Sequence, residues 1–92
     1  MADHTVNVCD SWNGGQGNKV TFQNTTASVC NISEKPNTTW PFKAASPISV
    51  PAGSIGNPGT TATHLKNPLA DGIYPYNVDC CTSGMAKSVT VP

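Results

Sequence analysis

The sequence predicts an all-β fold: an antiparallel β-sandwich of about seven short strands, forming one domain over residues 1–92. Three observations carry this. Apolar residues recur with a period of two, and no stretch shows helical spacing. Eight glycines and eight prolines break the chain into short pieces. Four cysteines, Cys9, Cys30, Cys80 and Cys81, offer an even set of cross-links to a chain of 92 residues whose core is necessarily thin.

Each element follows from local pattern. Thr5 to Cys9 reads as a strand with Val6 and Val8 on one face. Trp12 to Asn18 is a polar, glycine-rich loop. Lys19 to Asn24 and Val29 to Ser33 are the next strands, the latter with Cys30 and Ile32 on one face. Glu34-Lys35-Pro36-Asn37 breaks the pattern, and Trp40-Pro41-Phe42 is an aromatic island that plugs the core under a loop. Ile48-Ser49-Val50 is a strand ended by Pro51-Ala52-Gly53. Residues 51–71 are rich in Gly, Pro and Thr and read mostly as loop, with a weak strand over Thr61 to Leu65. Ile73 to Cys80 and Ala86 to Val91 complete the set, the last with Val89 and Val91 inward.

Charge excludes several functions. Five lysines balance five acids and there is no arginine, so neither a phosphate-tracking basic stripe nor bidentate guanine readout is available, and nucleic acid is not an expected partner. No apolar run approaches the ~20 residues of a membrane span. The cysteines point to two disulfides and a secreted or periplasmic protein; the competing reading is four free cytosolic thiols. No signal peptide is visible, and Met1-Ala2 is compatible with a start codon grafted onto a mature chain, which would hide a removed signal.

Two segments resemble the cupredoxin family. Val20-Thr21-Phe22-Gln23-Asn24, then Cys30-Asn31-Ile32, is similar to the family's strand ending in Asn that precedes a copper-binding His-Asn-Val. Gly72-Ile73-Tyr74-Pro75-Tyr76, Cys80-Cys81, Met85 and a final Val89-Thr90-Val91 strand resemble its second signature, in which Gly-x-Tyr-x-Tyr-x-Cys precedes a His and a Met. Ile48 to Gly53 fits the family's middle strand and turn. The resemblance implies a plastocyanin- or azurin-type Greek-key sandwich. It also implies a degenerate copper site, because type 1 copper needs two imidazoles and a thiolate beside a weak axial thioether. Cys30 stands where the first His belongs, neither register of the second signature leaves a His on the loop, and only Met85 survives. The expectation is no cofactor, with copper as the alternative, and a disulfide where the metal would sit. An immunoglobulin-like sandwich competes through the order Cys30, Trp40, Cys80, but Val78 stands where that fold places a tyrosine.

Strand parity favours the pairs Cys30–Cys80 and Cys9–Cys81, since Cys30 and Cys80 fall on apolar faces and their counterparts opposite them. The swapped pairing and a vicinal Cys80–Cys81 bond remain alternatives, the latter strained and easily reduced.

Other chemistry is sparse. His4 and His64 are isolated and, with Met85, form the only alternative metal set; Ala2-Asp3-His4 would also offer square-planar nitrogen ligation behind a free amine, against the simpler reading of an incidental terminal histidine. The acids are scattered, no nucleophile elbow exists, and Gly14-Gly15-Gln16-Gly17 is followed by no phosphate-binding Lys-Ser/Thr pair and opens no helix, so no catalytic residue is expected. Trp12 with Asn13 and Gln16 could stack on a sugar or anchor a protein, unless Trp12 folds back as a core cap. Sequons occur at Asn24, Asn31 and Asn37. The sequence therefore predicts a non-catalytic binding or structural module with a protein or glycan partner; the alternatives are a copper or redox protein and a carbohydrate-binding module working through Trp12.

Overall fold

Alternation of inward apolar and outward polar residues builds eight strands. In a computed structural model describing residues 2–92 they are β1 (Asp3–Asn7), β2 (Trp12–Asn13), β3 (Lys19–Asn24), β4 (Cys30–Glu34), β5 (Ile48–Val50), β6 (Gly59–His64), β7 (Gly72–Val78) and β8 (Ala86–Val91). They form two sheets, β1-β3-β6 and β2-β8-β7-β4-β5. No helix is long and apolar enough to cross a membrane among the described residues.

The all-β sandwich matches the sequence prediction, but the pairing is mixed. β1 runs parallel to β3, and β2 parallel to β8; the remaining strand pairs are antiparallel. β1 ends two residues before the predicted limit because the Asn7 side-chain oxygen accepts the Cys9 backbone N–H at 2.9 Å, an Asx turn that diverts the chain. The Trp12–Asn18 segment is not wholly loop, since Trp12 and Asn13 add to the edge of β8. In the 51–71 region, β6 is longer than the weak strand predicted and borders the smaller sheet.

Inward residues of both sheets merge into one core, with Val20, Phe22, Cys30, Ile32, Val50, Tyr76, Val78 and Val89 fully buried. Phe42 is its hub. Its ring meets those of Trp40, Phe22 and Tyr76 edge-on, with centroids 5.0, 5.6 and 5.4 Å away, and such edge contacts add roughly 0.5–1.5 kcal/mol each beyond burial. The Trp40-Pro41-Phe42 island is thus the core plug its composition predicts. It is held there by the isolated bridge between Phe42 and Leu65.

One polar residue sits at the bottom of the sandwich. Asn24 ends β3 with its side chain fully buried. Its amide donates to the carbonyls of Ser28, Val50 and Pro51 at 2.8, 3.3 and 3.0 Å, while its oxygen accepts from the Thr26 backbone and hydroxyl. Asn24 therefore ties β3 in one sheet to the end of β5 in the other. Gly53 and Gly59 cross beside it so closely that a Cβ on Gly59 would overlap the Pro51 carbonyl. Replacing Asn24 by Leu removes its hydrogen bonds to three carbonyls and to the Thr26 N–H, of which the Ser28 carbonyl alone keeps a side-chain donor, the Thr26 hydroxyl at 2.9 Å. Asn24→Leu should lower the unfolding free energy by about 2–4 kcal/mol in urea titration; a loss below about 0.5 kcal/mol would contradict this role.

Candidate functional site

The four cysteines form two bridges, Cys30–Cys80 and Cys9–Cys81, with Cα separations of 5.2 and 5.5 Å. Both lie in the ordinary range for disulfides. This is the pairing that parity favours, and among the described residues there is no free thiol. The bridges differ in reach. Cys30–Cys80 joins β4 to the turn after β7 within one sheet, whereas Cys9–Cys81 links the turn after β1 to the β7–β8 connection and so spans the two sheets. The immunoglobulin pattern expects Cys30–Cys80 to be the inter-sheet bond, with the tryptophan packed on it. Here it stays within a sheet, and Trp40 instead packs on Phe42 and donates its indole N–H to the Ala44 carbonyl at 2.7 Å.

Asp79 and Asn31 hold the cysteine turn in place, a contact the sequence reading missed. The two Asp79 carboxylate oxygens accept from the backbone N–H and side-chain amide of Asn31, each at 2.9 Å, and the Asp79 N–H donates back to the Asn31 carbonyl. Asn31 also accepts from the Ser49 hydroxyl at 2.8 Å. The turn carrying Cys80 is thereby fixed against Cys30, the neighbour of Asn31.

These positions do not fit type 1 copper. Among the described residues the one group of His, Cys, Asp or Glu close enough to share an ion is Cys9, Cys80 and Cys81, whose sulfur atoms lie within 4.8 Å of one another. All three are oxidised in disulfides and have no thiolate to give. The alternative ligands are scattered by the fold. His4 is opposite Val20, an inward residue, and His64 is opposite Lys19, an outward one, so the two imidazoles lie on opposite faces of the small sheet. Met85 is exposed in the loop before β8, at the cysteine end. His4 is already engaged: its Nε2 pairs with Asn18 Oδ1 at 3.0 Å and its ring leans on Trp12, with centroids 5.4 Å apart. The free-amine site before His4 depends on Met1, which lies outside the described residues.

Trp12 folds back as a core cap. It is half-buried, meets Phe22 edge-on with centroids at 6.2 Å, and donates its indole N–H to the Tyr76 hydroxyl at 3.0 Å. Gly14 permits this, because a Cβ there would come within 2.6 Å of the indole ring. Burial pushes the Tyr76 hydroxyl up to about 12, an effect the Trp12 hydrogen bond partly opposes. Asn13 and Gln16 remain exposed, and Gln16 accepts the Leu69 N–H at 3.0 Å. Of the sequon residues, Asn24 is fully buried and Asn31 is bonded to Asp79, while Asn37 is exposed on a turn with φ of 65°.

The 14–18 loop docks on residues 65–69. Leu65 N–H donates to the Asn18 carbonyl at 2.9 Å, and Gly17 N–H to the Lys66 carbonyl at 3.1 Å. Beside this contact opens a cleft of about 570 Å³, with Gly17, Leu65 and Pro68 as apolar lining and Lys43, His64, Lys66 and Asn67 as polar lining. No protein-family model, curated protein or solved structure matches the chain.

The Asn31 hydrogen bonds hold the Asp79 carboxyl below its ordinary value of 3.8. These bonds favour the ionised form, so their contribution to stability is complete above the unfolded value and disappears as pH falls below about 3.8 through the depressed folded value. Asp79→Asn should remove this part of the acid-side fall in urea midpoint and lower stability at pH values where the carboxylate is ionised. Identical pH profiles for variant and parent would contradict it.

Proposed function

We propose that the chain is a non-catalytic binding or structural module of a secreted or periplasmic protein, built on a cupredoxin-like sandwich without type 1 copper. The observation that carries this reading is the Cys30–Cys80 bond. The resemblance to cupredoxins places copper ligands on the segments that these residues occupy, and the sulfurs there are joined to each other. The Cys30–Ile32 part of the first resembling segment neighbours the second in the fold, since β4 pairs with β7 and β7 with β8, while Val20–Asn24 lies in the other sheet.

Compartment is supported by chemistry. Two disulfides in a domain of this size fit an oxidising environment. A non-catalytic role is supported by the sequence, in which the acids are scattered and no nucleophile elbow occurs. A sugar platform at Trp12 is less well supported, because the indole N–H and one edge of the ring are engaged within the protein. The surface better suited to a partner is the open cleft beside the 14–18 loop.

Adding Cu(II) to the unreduced protein should produce no intense visible band of thiolate-to-copper charge transfer. Such a band in the absence of reductant would overturn the proposal.

A further inference from the structure

The geometry points to the cleft between Lys43 and residues 64–68 as a binding site for a compact ligand bearing more than one oxyanion group. This rests on the reading of the chain as a binding module and names the chemistry of its ligand.

The basic side chains are gathered by the fold and not by the sequence. Phe42 and Leu65 form a bridge and both point into the core, at 0% and 1% exposure. Their neighbours along the extended chain, Lys43 on one side and His64 and Lys66 on the other, consequently face outward. Hydrogen bonds fix this pairing on both flanks: Lys43 N–H to the His64 carbonyl and Lys66 N–H to the Pro41 carbonyl, each at 2.9 Å. The 14–18 loop adds two more through Leu65 and Gly17. Lys19 lies directly across from His64 on β3, so three of the five lysines and one of the two histidines meet at this end of the small sheet.

No carboxylate lines the cleft. The acid of the adjoining strands is Asp3, two strands from β6 and directly across from Lys19. In a chain of zero net charge, such a concentration of ammonium groups produces a local positive potential against which nothing in the cleft wall is set. Lysine and histidine N–H groups donate strongly to carboxylate, phosphate or sulfate oxygens. The volume of about 570 Å³ suits a small molecule or the end group of a larger one. A neutral sugar would leave the charges uncompensated, whereas a polyanion uses all of them.

The test is a titration of the oxidised, isotope-labelled protein with citrate, pyrophosphate and glucose disulfate, each bearing more than one oxyanion group, at low ionic strength, followed by two-dimensional NMR, with a neutral disaccharide as comparison. The expected result is saturable shifts at Lys43, His64 and Lys66 with at least one anion, weakened about tenfold or more by Lys43→Gln or Lys66→Gln and unchanged by Lys35→Gln. The rank of the three anions then distinguishes a carboxylate from a phosphate or sulfate source. Absence of saturable shifts with all three, or equal binding by the Lys43→Gln/Lys66→Gln double variant with a parent-like spectrum, would overturn the proposal. Shifts in the same cleft with the disaccharide alone would also overturn it while leaving the binding-module reading intact; a copper–thiolate band would remove that reading independently.

Discussion

Two adjacent cysteines, each bonded to a different sheet, set the geometry of this protein. β7 ends at Val78, and in the turn that follows Cys80 bonds to Cys30 of its own sheet while Cys81 reaches Cys9 beyond the end of β1 in the other. One short turn is thus anchored to both layers. The bridges close loops of 50 and 72 residues, and restricting the unfolded chain in this way is worth about 4 kcal/mol for each bridge in the chain-entropy picture. Against the ~5–15 kcal/mol of a typical domain this is a dominant share. The Asp79–Asn31 clamp belongs to the same device, because it keeps the turn in the position where both bonds are satisfied.

The rest of the molecule is arranged around what that anchor leaves free. Phe42 fills the centre, and Trp12 covers the core near β8 while bonding to Tyr76. Asn24 joins the sheets with hydrogen bonds, and Thr61 does so again by donating to the Ser49 carbonyl at 2.8 Å. The cleft opens at the other end of the small sheet, where Asp3, Lys19 and His64 are in register, distant from the Asn7 and Gln23 end that leads to the cysteines.

Much of this was legible in the residues. Period-two alternation identifies β3, β4, β5 and β8 with their inward faces, and parity favours the disulfide pairing that forms, although Cys80 and Cys81 lie in a turn beyond the end of β7. Trp40-Pro41-Phe42 declares itself by being aromatic and isolated between breakers. Alternation carries no information on the direction of pairing, which is why the parallel β1–β3 and β2–β8 contacts were not foreseen. β6 gave a weak signal because Thr63 is its only buried residue and its other side chains are small or polar. Val29 reads as part of a strand, yet it precedes β4 and is 53% exposed. The cleft was invisible because Lys43 and His64 are distant in sequence and are brought together only by the Phe42–Leu65 bridge. Asp79 gave no signal because a carboxylate next to a cysteine pair has no distinctive pattern until its partner on β4 is known.

The most direct test is urea unfolding followed by tryptophan fluorescence, comparing the oxidised protein with the same protein after full reduction and with the double variant Cys9→Ser/Cys81→Ser. Losing the inter-sheet bridge should lower the unfolding free energy by about 4 kcal/mol, and full reduction should lower it further, to the point where the fold is marginal or lost at room temperature. Superimposable unfolding curves for the oxidised and reduced protein would show that packing alone holds the two sheets together, and would contradict this.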